Sequence, residues 1–88
     1  MKVDFRDSFA RDLKGVKDQG LLNRVKEQIE VAEKAETFSD IPNLKKLKGG
    51  RNYFRLRVGD FRIGLSFENN TLMFVRFLNR KDIYQSFP

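Results

Sequence analysis

Cysteine, histidine and tryptophan are all absent from this 88-residue chain. Without cysteine there is no disulfide, no thiolate metal ligand and no thiol nucleophile. Without histidine there is no imidazole acid–base chemistry and no imidazole ligation. No apolar run approaches the roughly 18 residues that span a bilayer, so no membrane partner is expected. The opening, Met1-Lys2-Val3-Asp4-Phe5, lacks the apolar stretch of a secretory signal, and a cytoplasmic location is expected. What is present is 40% hydrophobic and 34% charged residues, the balance of a folded globular chain. Nine phenylalanines point to a core built on a few large side chains. The length suits one domain over residues 1–88 with one core.

Acidic residues are scarce in one half only. Residues 1–44 hold eight Lys/Arg and nine Asp/Glu, a balance of −1. Residues 45–88 hold ten Lys/Arg and three Asp/Glu, a balance of +7. The whole basic excess therefore lies in the second half, as suits a surface that meets a polyanion, although a basic solubility face has the same composition.

The first half is patterned as helices. Lys2 to Phe5 alternates as a short edge strand would. Asp7 or Ser8 is placed to cap a helix whose Phe9, Leu13 and Val16 share one face. Lys17-Asp18-Gln19-Gly20 reads as a turn. A longer helix follows, with Leu22, Val25, Ile29 and Ala32 on one stripe, fading near Glu36. The two are expected to form a helical hairpin. Thr37 to Asn43 reads as loop, broken by Pro42.

The second half changes period from 3.6 to 2. Tyr53–Val58 and Phe61–Phe67 alternate polar and apolar residues around Gly59-Asp60, a two-residue hairpin loop in which Gly59 is free to take positive φ. Leu72–Asn79 follows the turn signal Asn69-Asn70 and reads as a central strand, with a short turn of helix or an irregular tail after Arg80. The expected architecture is α+β: a two-helix hairpin on one face of a small antiparallel sheet, in the order β-α-α-β-β-β.

The hairpin loop fixes a register. Val58 faces Phe61, Arg57 faces Arg62, Arg55 faces Gly64 and Phe54 faces Leu65. One side of the hairpin then holds Phe54, Leu56, Val58, Phe61, Ile63 and Leu65 as core. The other holds Tyr53, Arg55, Arg57, Arg62, Gly64 and Ser66. Like charges directly opposite each other destabilise a sheet, so three guanidiniums on one patch call for an external anion, with Gly64 removing bulk where it approaches. The plainer alternative is a solvated face that carries arginines by chance. Lys45, Lys46, Lys48 and Arg51 surround Gly49-Gly50 and read as a flexible basic loop beside this face, not as a phosphate-binding loop, whose spacing is absent. Arg80 and Lys81 leave the last strand next to Tyr84, which is equally a stacking or proton-transfer group and a packing residue.

These side chains fit RNA cleavage without a metal or other cofactor. Attack by a ribose 2′-hydroxyl on the adjacent phosphate needs a proton acceptor, cations for the developing phosphorane charge and a proton donor for the leaving 5′-oxygen. Fixed Arg and Lys charges supply the second requirement. Tyr84 is the neutral proton carrier at hand. Only Asp60, Glu68 and Asp82 offer carboxylates in this half, too few and too scattered to suggest a metal site.

The stretch Leu47-Lys48-Gly49-Gly50, the run from Phe54 to Arg62 and the ending Phe77-Leu78-Asn79-Arg80-Lys81-Asp82-Ile83-Tyr84 resemble the RelE/ParE toxin superfamily, and within it the RelE branch. That resemblance implies a toxin that cuts mRNA in the ribosomal A site and is held inactive by a cognate antitoxin. It implies phosphate contact for Arg62, catalytic roles for Arg80 and Tyr84, and basic strand residues at Arg55 and Arg57. RNA or ribosome contacts fall to Lys45, Lys46, Lys48, Arg51 and Lys81. Arginine stands at 55 and 57 where the family often has lysine, and Asn79 where many members have histidine. A guanidinium is a poor proton acceptor, so the chain is expected to be a weak nuclease or one that relies on Tyr84. The alternatives are a ParE-like toxin that inhibits gyrase and a family member that binds RNA or ribosomes without cutting.

Overall fold

A computed structural model describes residues 1–48 and 52–88. Its elements are β1 (Lys2–Phe5), α1 (Asp7–Lys14), α2 (Gln19–Lys34), a 3-10 turn (Phe38–Asp40), β2 (Leu44–Lys46), β3 (Tyr53–Val58), β4 (Phe61–Glu68), β5 (Thr71–Asn79) and α3 (Arg80–Ser86). The strands form one sheet in the order β1-β5-β4-β3-β2. The α+β class stands, but the sheet is mixed: β1 runs parallel to β5, and the other neighbours are antiparallel. A fifth strand, β2, occupies the far edge where a basic loop was expected. It pairs Leu44, Lys45 and Lys46 with Leu56, Arg55 and Phe54.

The two helices lie on one face of the sheet. Phe9 of α1 and Val25 and Ala32 of α2 join Phe54, Leu56, Ile63, Leu65, Phe74 and Phe77 in one buried core. Neither Asp7 nor Ser8 caps α1. Its N-cap is Arg6, with no side-chain bond, and the Ser8 hydroxyl instead donates to the Val75 carbonyl. Asp18 does cap α2, accepting from the Leu21 amide, so Gln19 and Gly20 belong to the helix and not to the turn.

Beyond the end of β1, α1 covers the exposed edge of β5. Arg6 donates its amide to the Phe74 carbonyl, and Asp12 accepts from the Phe77 amide at 2.9 Å and from the Arg76 Nε at 2.8 Å. An edge whose polar groups are satisfied in this way no longer offers itself to a second sheet. The same bond and charge raise the Arg76 pKa further above its ordinary value.

The β3–β4 hairpin has the expected register, with Arg57 opposite Arg62, Arg55 opposite Gly64 and Val58 opposite Phe61. Gly59 takes φ 58, which an L side chain adopts only with strain. Asn69 and Asn70 take φ 51 and 60 in the next turn, using the tolerance of asparagine for left-handed backbone. A bulge at Gly64/Leu65 shifts the β4–β5 register by one residue.

Candidate functional site

On the face of the sheet turned away from α1 and α2, pairing places Lys45, Arg55, Arg57 and Arg62 side by side. Lys45 lies opposite Arg55 across β2–β3, and Arg57 lies opposite Arg62 across β3–β4. Directly paired residues project to the same face. These four cations, with Asn43, Leu44 and Tyr84, line an open cavity of about 360 Å³. No carboxylate lines it, and among the described residues the ion pairs, Arg6–Glu68 and Arg76–Asp12, involve none of the four. A patch with four positive charges and no counter-charge is suited to a phosphate backbone.

Arg62 is held by its own turn. Its Nη1 donates to the carbonyls of Gly59 at 2.8 Å and Phe61 at 2.9 Å, which aims the guanidinium along the hairpin tip. Tyr84 comes from α3, and the Arg55 guanidinium carbon lies 4.7 Å from the centre of its ring. That cation–π contact brings the phenol to the edge of the basic patch. Tyr84 is 66% exposed, so most of its side chain faces solvent.

The expected site residues do not all converge. Arg55, Arg57, Arg62, Tyr84 and Lys45 line the cavity, whereas Arg80 and Lys81 begin α3 outside its lining. The Arg80 amide donates to the Asp60 carbonyl at 2.9 Å, tying the start of α3 to the hairpin tip. Lys46 pairs with Phe54 and so projects to the helix-covered face, beside a separate cavity with Phe38 and Phe67. Lys48 is exposed. Arg51, with Gly49 and Gly50, lies outside the described residues.

Gly64 does not open the site to a ligand. The ring of Phe87 lies over it, so that a Cβ there would meet ring carbons at 2.7 Å. Sequence patterning missed this ring and also Asn43, whose φ of 68 leads the chain into β2. The signal for Asn43 was its type, since asparagine tolerates left-handed backbone better than most residues. For Phe87 no local signal existed, because its partner lies in β4.

The toxin RelE3 of Methanocaldococcus jannaschii is 42% identical over 89 residues, covering all of both chains. The chain belongs to the RelE toxin family. A chain of the RelB–RelE antitoxin–toxin complex from Methanococcus jannaschii superposes on this RelE-family toxin with a TM-score of 0.80 and 38% identity, over 96% of this chain and 98% of that one. A chain of the archaeal RelE–RelB complex from Pyrococcus horikoshii shares the fold at 17% identity and a TM-score of 0.71, covering 90% and 93% of the two chains. No family model matches this chain.

Proposed function

We propose that this RelE-family toxin is a ribosome-dependent mRNA endoribonuclease of a type II toxin–antitoxin system, acting in the cytoplasm. The observation that carries the reading is the convergence of Lys45, Arg55, Arg57, Arg62 and Tyr84 around one carboxylate-free cavity. The proposed reaction is in-line attack by a ribose 2′-oxygen on the adjacent phosphorus. The P–O5′ bond breaks, leaving a 2′,3′-cyclic phosphate on one fragment and a 5′-hydroxyl on the other. The guanidiniums bind the non-bridging oxygens and stabilise the charge that grows on them in the transition state. Tyr84, the neutral proton-carrying group in the cavity lining, gives its hydroxyl proton to the leaving 5′-oxygen. Water takes the proton of the attacking 2′-hydroxyl and reprotonates the phenolate. Arg80 and Lys81, outside the cavity, are assigned to the RNA that continues beyond the scissile phosphate.

In-line attack needs the 2′-oxygen, the phosphorus and the 5′-oxygen aligned, an arrangement that free, flexible RNA rarely holds. The ribosome is proposed to supply that alignment by fixing the codon, and pre-orientation of this kind is worth roughly 7–11 kcal/mol. The partner in the resting state is an acidic antitoxin. The structural relatives from Methanococcus and Pyrococcus are antitoxin–toxin complexes, and a basic face without counter-charges gains stability from an acidic segment. A primer-extension assay on programmed ribosomes, with sedimentation in parallel, tests the function. Cuts within the A-site codon, and few in free mRNA, are expected. Ribosome binding without cuts would mean a non-cleaving binder, and inhibition of gyrase without ribosome binding would mean a ParE-like toxin.

A further inference from the structure

We propose that Phe87 and Gly64 form a hook that positions Tyr84, making both of them positioning residues for the cleavage step. The inference rests on the reading of Tyr84 as the proton carrier. Helix α3 has only seven residues, too few to persist on its own. Its buried anchors are Ile83 (1% exposed) and Phe87 at its C-cap (9%), and neither belongs to the main core on the other face of the sheet. Tyr84, at 66% exposure, gains little hold from its own burial.

The hook itself is tightly fitted. Gly64 sits in the middle of β4 between Arg55 and Arg76, a place where glycine weakens a strand unless another group approaches closely. The approaching group is the Phe87 ring, and a Cβ on residue 64 would fall 2.7 Å from its Cγ and Cδ2 and 2.8 Å from its Cδ1. Tyr53 closes one side, edge to face, with ring centres 5.5 Å apart. The Phe87 amide donates to the Ile83 carbonyl at 2.9 Å, so the seated ring fixes the last turn of α3, the turn that carries Tyr84. Arg55, directly opposite Gly64, receives the Tyr84 ring at 4.7 Å. The ring of Phe87 and the ring of Tyr84 thus dock on one cross-strand pair.

The test compares Gly64→Ala, Phe87→Ala and the double variant. On programmed ribosomes each single variant is expected to lose kcat by about 10²-fold, the scale of an ångström-sized misplacement. KM should stay near wild type, because Lys45, Arg57 and Arg62 are untouched. The double variant should lose no more than the worse single variant, since both changes disable one device. On the free protein, NMR should show the Arg55 side-chain protons, shifted by the Tyr84 ring current in wild type, returning to ordinary values in Phe87→Ala. This second readout needs no cleavage. If wild type fails to cut and the Arg55 shifts still collapse in Phe87→Ala, the hook stands and the nuclease reading falls. Unchanged Arg55 shifts in Phe87→Ala, an unchanged kcat, or losses that multiply in the double variant overturn the hook. Phe87→Ala lies outside the main core, which keeps the comparison open should Gly64→Ala fold poorly.

Discussion

Arg57 and Arg62 face each other across β3 and β4 with no carboxylate beside them in the cavity lining, an arrangement that costs stability and that the proposed function accounts for as a place for an anion. Arg57→Thr removes one charge and places a good strand former in the strand. It should raise stability by about 0.2–1 kcal/mol, the scale of a cross-strand pair, while lowering ribosomal cleavage. Thermal unfolding and the cleavage assay, run on one preparation, check both signs. A variant that is less stable and also less active would point to a structural role for Arg57 instead. Tyr84→Phe keeps the ring on Arg55 and removes only the hydroxyl. It should lose about 10²-fold or more in cleavage rate, the usual scale for general acid–base catalysis, with ribosome binding nearly intact. The shared face of Arg55, Arg57 and Arg62 was legible from alternation and one two-residue loop, because residue period and turn length together fix a register. The filling of Gly64 was not legible, since glycine marks a close approach without saying what approaches.

At the scale of elements, local signals fared better than distant ones. The β3–β4 hairpin rests on neighbours in sequence and could be read there, whereas Asp18, read as part of a turn, caps α2. The parallel pairing of β1 with β5 joins residues about seventy positions apart, and nothing in Lys2–Phe5 encodes its direction. Strand β2 is three residues long and follows Pro42, so its pattern is too short to stand out from a loop. The docking of α1 on β5 depends on Asp12. Asp12→Ala leaves the Phe77 amide and the Arg76 guanidinium without this partner and should cost roughly 1.5–3 kcal/mol, the range for hydrogen bonds to a charged group. Urea denaturation measures it, and an unchanged midpoint would mean that water replaces the carboxylate freely.

The 3-10 turn at Phe38–Asp40 carries a pH dependence. Asp40 accepts from the Thr37 and Glu36 amides, and these bonds, Thr37 first, hold its carboxyl below the ordinary carboxylate range. A lowered folded-state pKa means that the turn's stabilisation is present above the unfolded value of about 3.9 and is lost as pH falls through the folded one. The Thr37 amide resonance should therefore titrate with a midpoint below that of an unstructured aspartate. A midpoint at or above it would contradict the capping geometry.

For the whole molecule, part of the uneven charge becomes one cationic patch because β2, β3 and β4 present Lys45, Arg55, Arg57 and Arg62 on the face of the sheet opposite α1 and α2. The site was legible as far as charge and alternation reach. The failure of Lys46 to join Lys45 was not, since it follows from β2 being a strand and not a loop. If the four cavity cations each replace a counterion on single-stranded RNA, log affinity should fall with log salt at a slope of roughly −3. A slope near zero, measured by titrating ribosome binding between low and moderate salt, would remove the electrostatic basis of the site. The central claim is attack by the 2′-hydroxyl on ribosome-held mRNA, and the most direct measurement replaces that single group. An mRNA with one 2′-deoxy nucleotide at the cut position of the A-site codon is loaded on ribosomes beside its all-ribose twin, and both are mixed with the protein. The expected result is cleavage of the twin, ending in a 2′,3′-cyclic phosphate, with the deoxy message bound but intact. Equal cleavage of both messages, or of neither, would contradict it.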